Sequence, residues 1–482
     1  MEVRTIFRNI SPIDHRYSIS EQELFNRLVP WLSEEASVGS CVKAEIALIS
    51  AHLAVREGLT PALREILENA AASVDPEEVY KEEEKTRHNI RALVNVLKRK
   101  VPSEIAPLVH LGATSVDILD TALSFRMKGA TQQVALPLLR KLEILLCDFV
   151  DKEAETPQVG RTHGQHAVPI TVGFAFAEYV SRLGKSILEI ARLSRELKGK
   201  LAGAVGAYNA TSMIVQDPEE LEQRYLAELG LEASEHSTQL VEPEYLLRLL
   251  LEYNVAFGII ANLADDLRNL QRTEIGELRE GFGADQVGSS TMPQKRNPWN
   301  SEHVKSLWKT FMPRVTTFFM DQISEHQRDL SNSASQRFIA DYVTGFCLAV
   351  SRMSSVIIGL EADRERLLAN LRGSSGIPGG VMAEPAYILL AETGVSDAHE
   401  VIRQITLTAE REQLDFAQAL SKEPAVLDRI AGKLTELGLI QEPAQGRSFF
   451  EKPEQYRGLS VKKAKSIAEK YRACMNQEEF HV

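Results

Sequence analysis

With 482 residues, 44% of them hydrophobic, the chain is long enough for two or three domains and can furnish a large core. A net charge of -12 excludes a general nucleic-acid binder, which needs a basic face, yet leaves room for a small anionic substrate held by a few local arginines. Only 6% of residues are aromatic while Leu, Ala, Glu and Arg are plentiful, a balance that favours helices and points to an all-α fold.

The first residues, MEVRTIFRNISPIDHRYS, lack the apolar stretch of a secretory signal, and no apolar run is read as reaching membrane-spanning length. A soluble, cytoplasmic protein is expected, with no membrane or nucleic-acid partner. Cys41, Cys147, Cys347 and Cys474 are scattered without CxxC spacing and read as reduced thiols. SPIDHRYS places Arg16 beside Tyr17. From 21 to 97 the helical period gives several amphipathic helices with a charged interruption at 75–87, a first helical domain over 1–109. His88, in EEEKTRHNIRALV, is read on a charged helix, where an isolated histidine is ordinarily solvated surface.

Beyond Pro102 and Pro107 the helical stretches lengthen, covering 115–153, 171–201, 243–276, 298–324 and 336–360 in a central domain over 110–362. LGATSVDILDTA opens the first of them with Thr114, Ser115 and Asp117, residue types that cap helices; hydroxyls and free N–H groups at a helix start also hold carboxylates. GRTHGQHAVP carries His163 and His166 between Pro157 and the next helix. His-x-x-His can bind a metal, but no third ligand is nearby, and a loop histidine suits proton transfer near neutral pH. The 243–276 helix is apolar on more than one face as far as Asp265, so burial in a bundle and against other subunits is expected. HQRDLSNSASQR sets Arg328 and Arg337 on either side of Ser333, either a salt-bridged helix start or a bidentate phosphate site. A third helical domain covers 363–482.

The stretch 281–298, GFGADQVGSSTMPQKRNP, combines three glycines, two serines, a lysine and an asparagine between helices, the make-up of a mobile loop that carries chemistry. Asn297 and Pro298 read as cap and first position of the following helix. Its string GSSTMPQKRNP matches the GSSxMPxKxNP signature of the fumarase/aspartase superfamily, whose members eliminate fumarate from a substituted succinate.

GRTHGQHAVP, the RDLxxSxxxR pattern at 328–337 and the SPIDHRYS start resemble the adenylosuccinate lyases within that superfamily. The resemblance runs from Ser11 to about residue 455 and implies three helical domains, the central one joining a twenty-helix core in a homotetramer with shared active sites. It implies anti elimination of fumarate from adenylosuccinate and from the succinylated carboxamide ribotide, without cofactor or metal. By the same resemblance His163 is the general acid, supported by His88, and Ser289 is the base, with Ser290 as its alternative. Lys295 and Asn297 stabilise developing carboxylate charge. Thr114 and Ser115 would hold the succinyl group, Asp117, Thr162 and Gln239 would contact the substrate, and Arg16, Tyr17, Arg328, Ser333 and Arg337 would hold the phosphate, while His166 is structural. A paralogue acting on another succinyl adduct, such as argininosuccinate or carboxymuconate, and an idle structural homologue are the alternatives.

Overall fold

Small polar caps set the starts of the helices along this chain. Ser33 accepts the Ala36 N–H ahead of α1 (Glu34–Val55), and Asp75 accepts the Glu77 N–H ahead of α2 (Pro76–Thr86), whose first position is proline. After α3 (Asn89–Lys98) come α4 (Ser115–Ala130) and α5 (Leu136–Lys152), joined by a π-helical turn at Thr131–Ala135 that keeps them one helical stretch, as the 115–153 expectation has it. The computed structural model describes residues 5–283, 288, 290–373 and 376–477. It is 67% helical and 5% strand, an all-α fold.

The long helices that follow are α6 (Val172–Arg195), α7 (Glu244–Leu270), α8 (Trp299–Phe311), α9 (Ile339–Ile358) and, from the far end of the chain, α11 (Ser460–Met475). They pack with α5 into one bundle whose core holds Leu139, Leu146, Val180, Ile187, Ile260 and Phe346. Tyr253 and Phe257 stand edge-on to Phe346 at ring separations of 4.7 and 5.5 Å, an arrangement their quadrupoles favour. Each such buried side chain contributes about 1.5–3 kcal/mol. A second core joins α1 and α3 to Tyr225 and Leu226, and a third gathers Val159 with residues between 371 and 450.

Strands are short: β1 (Pro157–Thr162) and β2 (Gln165–Thr171) form a hairpin, β3 (Lys198–Gly199) pairs in parallel with β4 (Glu232–Ala233), and β5 (Leu278–Arg279) pairs antiparallel with β6 (Glu361–Ala362). Helix α10 (Arg364–Arg372) follows β6 directly.

Five expectations are corrected. The segment around His163 is a hairpin rather than a loop. Pro298 caps α8 instead of opening it, and the 298–324 helix divides at Pro313, whose missing N–H ends one helix and starts the next, Arg314–Met320. His88 is not on a helix: Arg87, in the left-handed region at φ 52°, ends α2, and His88 caps α3 by accepting the Arg91 N–H at 3.2 Å. Finally, three helical stretches are long and apolar enough to cross a membrane: Gln22–Val55, Glu244–Leu270 and Ser335–Ile358, with mean hydropathies of 1.5, 1.4 and 1.2. Their most apolar windows are 67, 56 and 72% buried inside the chain, so the apolar surface serves packing.

Candidate active site

Helix α4 begins where the chain must turn sharply. His110 and Gly112 sit at φ 61° and 79°, and Glu45, buried on α1, fixes that turn by accepting the His110 N–H at 3.0 Å and bonding its Nδ1 at 2.7 Å. The Thr114 N–H then donates to Asp117 at 2.8 Å, closing the first turn. Asp117 has no exposed surface, and its carboxylate is paired with the equally buried Lys200. Its assignment as a substrate contact is therefore corrected: the carboxylate is spent inside the fold, and it positions Thr114 and Ser115.

Gln239 lies against this turn. Its side-chain amide donates to Thr114 Oγ1 at 3.4 Å and its backbone N–H to the Gln327 carbonyl at 3.2 Å, so the Thr114 turn and the Arg328 segment meet through one residue. Two positions on, the Val241 N–H donates to Asp120 at 3.1 Å. Burial pushes the Asp120 carboxyl up to about 6, against the pull of that N–H and of the Lys200 and Arg328 charges. Arg328 donates from Nε to the Asp329 carbonyl at 2.7 Å, leaving its terminal nitrogens for an anion. Ser333 and Arg337 are exposed further along, and the Arg337 charge reaches Tyr80 of α2.

A second cluster surrounds α8. The Tyr17 hydroxyl lies 3.1 Å from His303 Nε2, and the ring of His303 stands edge-on to Trp299. Arg352 stacks over Trp299 and donates to Asn300 at 3.0 Å and to Glu21 at 3.3 Å. Burial, then the Arg352 and Arg16 charges, lower the pKa of His303, which favours the neutral ring, a form that can accept from Tyr17. The exposed Arg16 precedes this pair.

The signature stretch leaves and returns at nearly one point. Glu280 accepts from Ser301 N–H and Oγ at 2.8 and 2.5 Å and from Asn300 Nδ2 at 3.1 Å, so a carboxylate just before the stretch caps the helix just after it. Within it Asn297 donates to the Gly288 carbonyl at 3.0 Å, and a Cβ at Gly288 would come within 2.2 Å of the Lys295 carbonyl, which only glycine permits. Ser290 and Lys295 are exposed. Ser289 lies outside the described residues.

The third cluster is the hairpin. Arg161 pairs with His166 and Thr162 with Gln165, leaving His163 and Gly164 as a two-residue turn at φ 53° and 73°, both left-handed, as a type I′ turn requires. Thr162 and His163 are thus exposed at a tip. His166, half-buried beneath them, has its pKa lowered by burial and by Arg161.

The structure therefore brings Thr114, Ser115, Gln239 and Arg328 together, joins Tyr17 to the helix after the signature stretch, and holds His163 apart on its own projection. Sequence reasoning missed Lys200, Asp120, Glu280 and His303, whose partners lie up to 286 residues away with no local pattern to announce them. Among the described residues no three His, Cys, Asp or Glu side chains converge as a metal-binding group.

The family model described as "Lyase" matches residues 12–310, and one described as "Adenylosuccinate lyase C-terminal" matches 324–441. Similar relatives include the adenylosuccinate lyases of Pyrococcus horikoshii, 34% identical over 95% of this chain and 97% of its own length, and of Methanocaldococcus jannaschii, 31% identical over 89% and 93%. Among solved structures, the fold is similar to a fumarate lyase from Mesorhizobium sp. BNC1, with a TM-score of 0.77 at 19% identity, covering 92% of this chain and 97% of that one. It is equally similar to a 3-carboxy-cis,cis-muconate lactonizing enzyme from Pseudomonas putida, with a TM-score of 0.77 at 23% identity and coverage of 96% and 98%.

Proposed function

The chain belongs to the lyase family and, within it, to the adenylosuccinate lyases, and on that premise we propose how its residues divide the work. It is a fumarate-releasing carbon–nitrogen lyase. The substrates are adenylosuccinate, split into AMP and fumarate, and the succinyl-aminoimidazole carboxamide ribotide of purine biosynthesis, in the cytoplasm. The observation that carries this reading is the double contact of Gln239 with Thr114 and with the Arg328 segment. It supports a site with hydroxyls and helix-start N–H groups for a carboxylate on one side and a guanidinium for a phosphate on the other.

In the proposed elimination Ser289, or Ser290 in its stead, takes the proton beside a carboxylate. Electrons move into that carboxylate, and Lys295 and Asn297 hold the charge that develops. The C–N bond then breaks as His163 gives a proton to the departing nitrogen, leaving fumarate and the amine. His88 supports the acid, and Arg16, Tyr17, Ser333 and Arg337 hold the nucleotide.

Completion by other copies of the chain is part of the proposal. The described contacts gather those of these residues that the structure describes into separate clusters, and Val255, exposed on α7, lines an open groove with Trp308 and Met312 among polar side chains of α6 and α7, supporting a homotetramer. The deciding experiment follows fumarate release by ultraviolet absorbance from adenylosuccinate and argininosuccinate side by side. Turnover of the first alone is expected; turnover of the second alone would favour a paralogue.

A further inference from the structure

Glu277 is a carboxylate without exposed surface, and the elimination leaves it no chemical task. It accepts from Gln158 Nε2 at 2.8 Å, from Arg161 Nη1 and Nη2 at 3.0 and 2.5 Å, and from Asn370 Nδ2 at 2.9 Å. A buried charge is costly, and here a two-pronged guanidinium contact and two amides offset the cost. Its backbone is fixed as well: the N–H donates to the Leu270 carbonyl at the end of α7, and the carbonyl accepts from Asp363 N–H beyond β6, both at 2.9 Å. Glu277 is thus tied to the bundle and to the start of α10 before its side chain reaches anything.

What that side chain reaches is β1. Gln158 and Arg161 both lie on that strand, and Arg161 is two residues from His163 on the rung below the last. An isolated two-stranded hairpin is marginally stable, so the direction of its tip has to be set from outside. We propose that Glu277 is a positioning residue for the proton donor, fixing through Arg161 and Gln158 where His163 stands. The inference rests on the reading of His163 as the acid.

The test is a double-mutant cycle on the full-length assembled protein, with Glu277→Gln, His163→Gln and the pair together. Glutamine keeps the shape but turns one acceptor into a donor facing other donors, which loosens the clamp. Displacement of a reacting group by about 1 Å costs on the order of 10²-fold, so Glu277→Gln is expected to lower kcat by that order with KM within about 3-fold. The double variant is expected to be no slower than His163→Gln alone, because Glu277 acts only through that side chain. Effects that multiply, or a Glu277→Gln kcat within about 2-fold of the parent, would overturn the inference and leave the role of His163 intact. Near-normal turnover by His163→Gln would sink the acid assignment and this inference with it. If Glu277→Gln fails to assemble, Arg161→Lys, which keeps the charge and loses the fork, carries the same cycle.

Discussion

At the scale of single residues, charge that has left water decides most of what is special here. Asp117 and Lys200 are both fully buried, and each completes the other: Lys200 also donates to the Gly203 carbonyl at 3.1 Å, while Asp117 takes the N–H groups of Thr114 and Gly203. Removing one partner of such a pair strands the other charge at a cost of about 3–5 kcal/mol. Lys200→Met is therefore expected to lose stability of that order in chemical denaturation. Because the stranded Asp117 no longer holds the Thr114 turn, KM is expected to rise as well. A loss under about 1 kcal/mol would mean that water or a rearranged neighbour replaces the ammonium. The capping pattern marked Thr114, Ser115 and Asp117 as a helix start, and the family resemblance alone assigned them to the substrate. The burial of Asp117 depends on Lys200, a partner 83 positions away, which no local pattern reveals.

At the scale of elements, α11 returns from the end of the chain to lie on α5 and α6, and a carboxyl is enclosed where they meet. Neither oxygen of Glu143 has a hydrogen-bond partner, a Cβ on Gly184 of α6 would come within 2.8 Å of one of them, and Tyr471 of α11 crowds the same glycine. Burial raises its pKa well above the usual 4.5, with Cys147 the titratable neighbour on the same helix. The folded chain keeps this proton while the unfolded chain releases it above pH 4.5, so its contribution to stability is present below that value and is lost as pH rises. Glu143→Gln keeps the shape and removes the ionisation. Its melting temperature is expected to fall less between pH 5 and pH 8 than the parent's, with a difference of at least roughly 2 °C in calorimetry. Parallel curves would show that Glu143 has a partner in the assembled protein. The helices themselves were legible, since apolar period and caps are local properties. The hairpin was not: a bulge in β2, where Ala167 and Val168 oppose the single Gly160, interrupts its alternation, and the His163–Gly164 turn needs a left-handed histidine that only the paired strands enforce.

At the scale of the whole molecule, the proposed site draws on residues that one chain keeps in separate clusters. A tetramer that brings them together predicts complementation. His163→Ala and Ser289→Ala chains, each inactive, are expected to regain activity when unfolded and refolded in equal amounts. Random assortment leaves roughly one site in four with both residues intact. Mixed oligomers confirmed by mass spectrometry yet lacking turnover would place both residues in one chain.

The sequence by itself determined the all-α class, the identity of the signature stretch and the residue types the chemistry needs, because these depend on short-range periodicity and on strings of neighbouring residues. Tertiary structure alone decided which polar groups stay exposed and which are spent within the fold. Asp117 turned inward and Glu277 was fastened to the hairpin because a buried charge requires a partner, and His88 became a cap because the first N–H groups of a helix have none within it. In a chain folded from helices tens of residues long, that partner usually comes from another element.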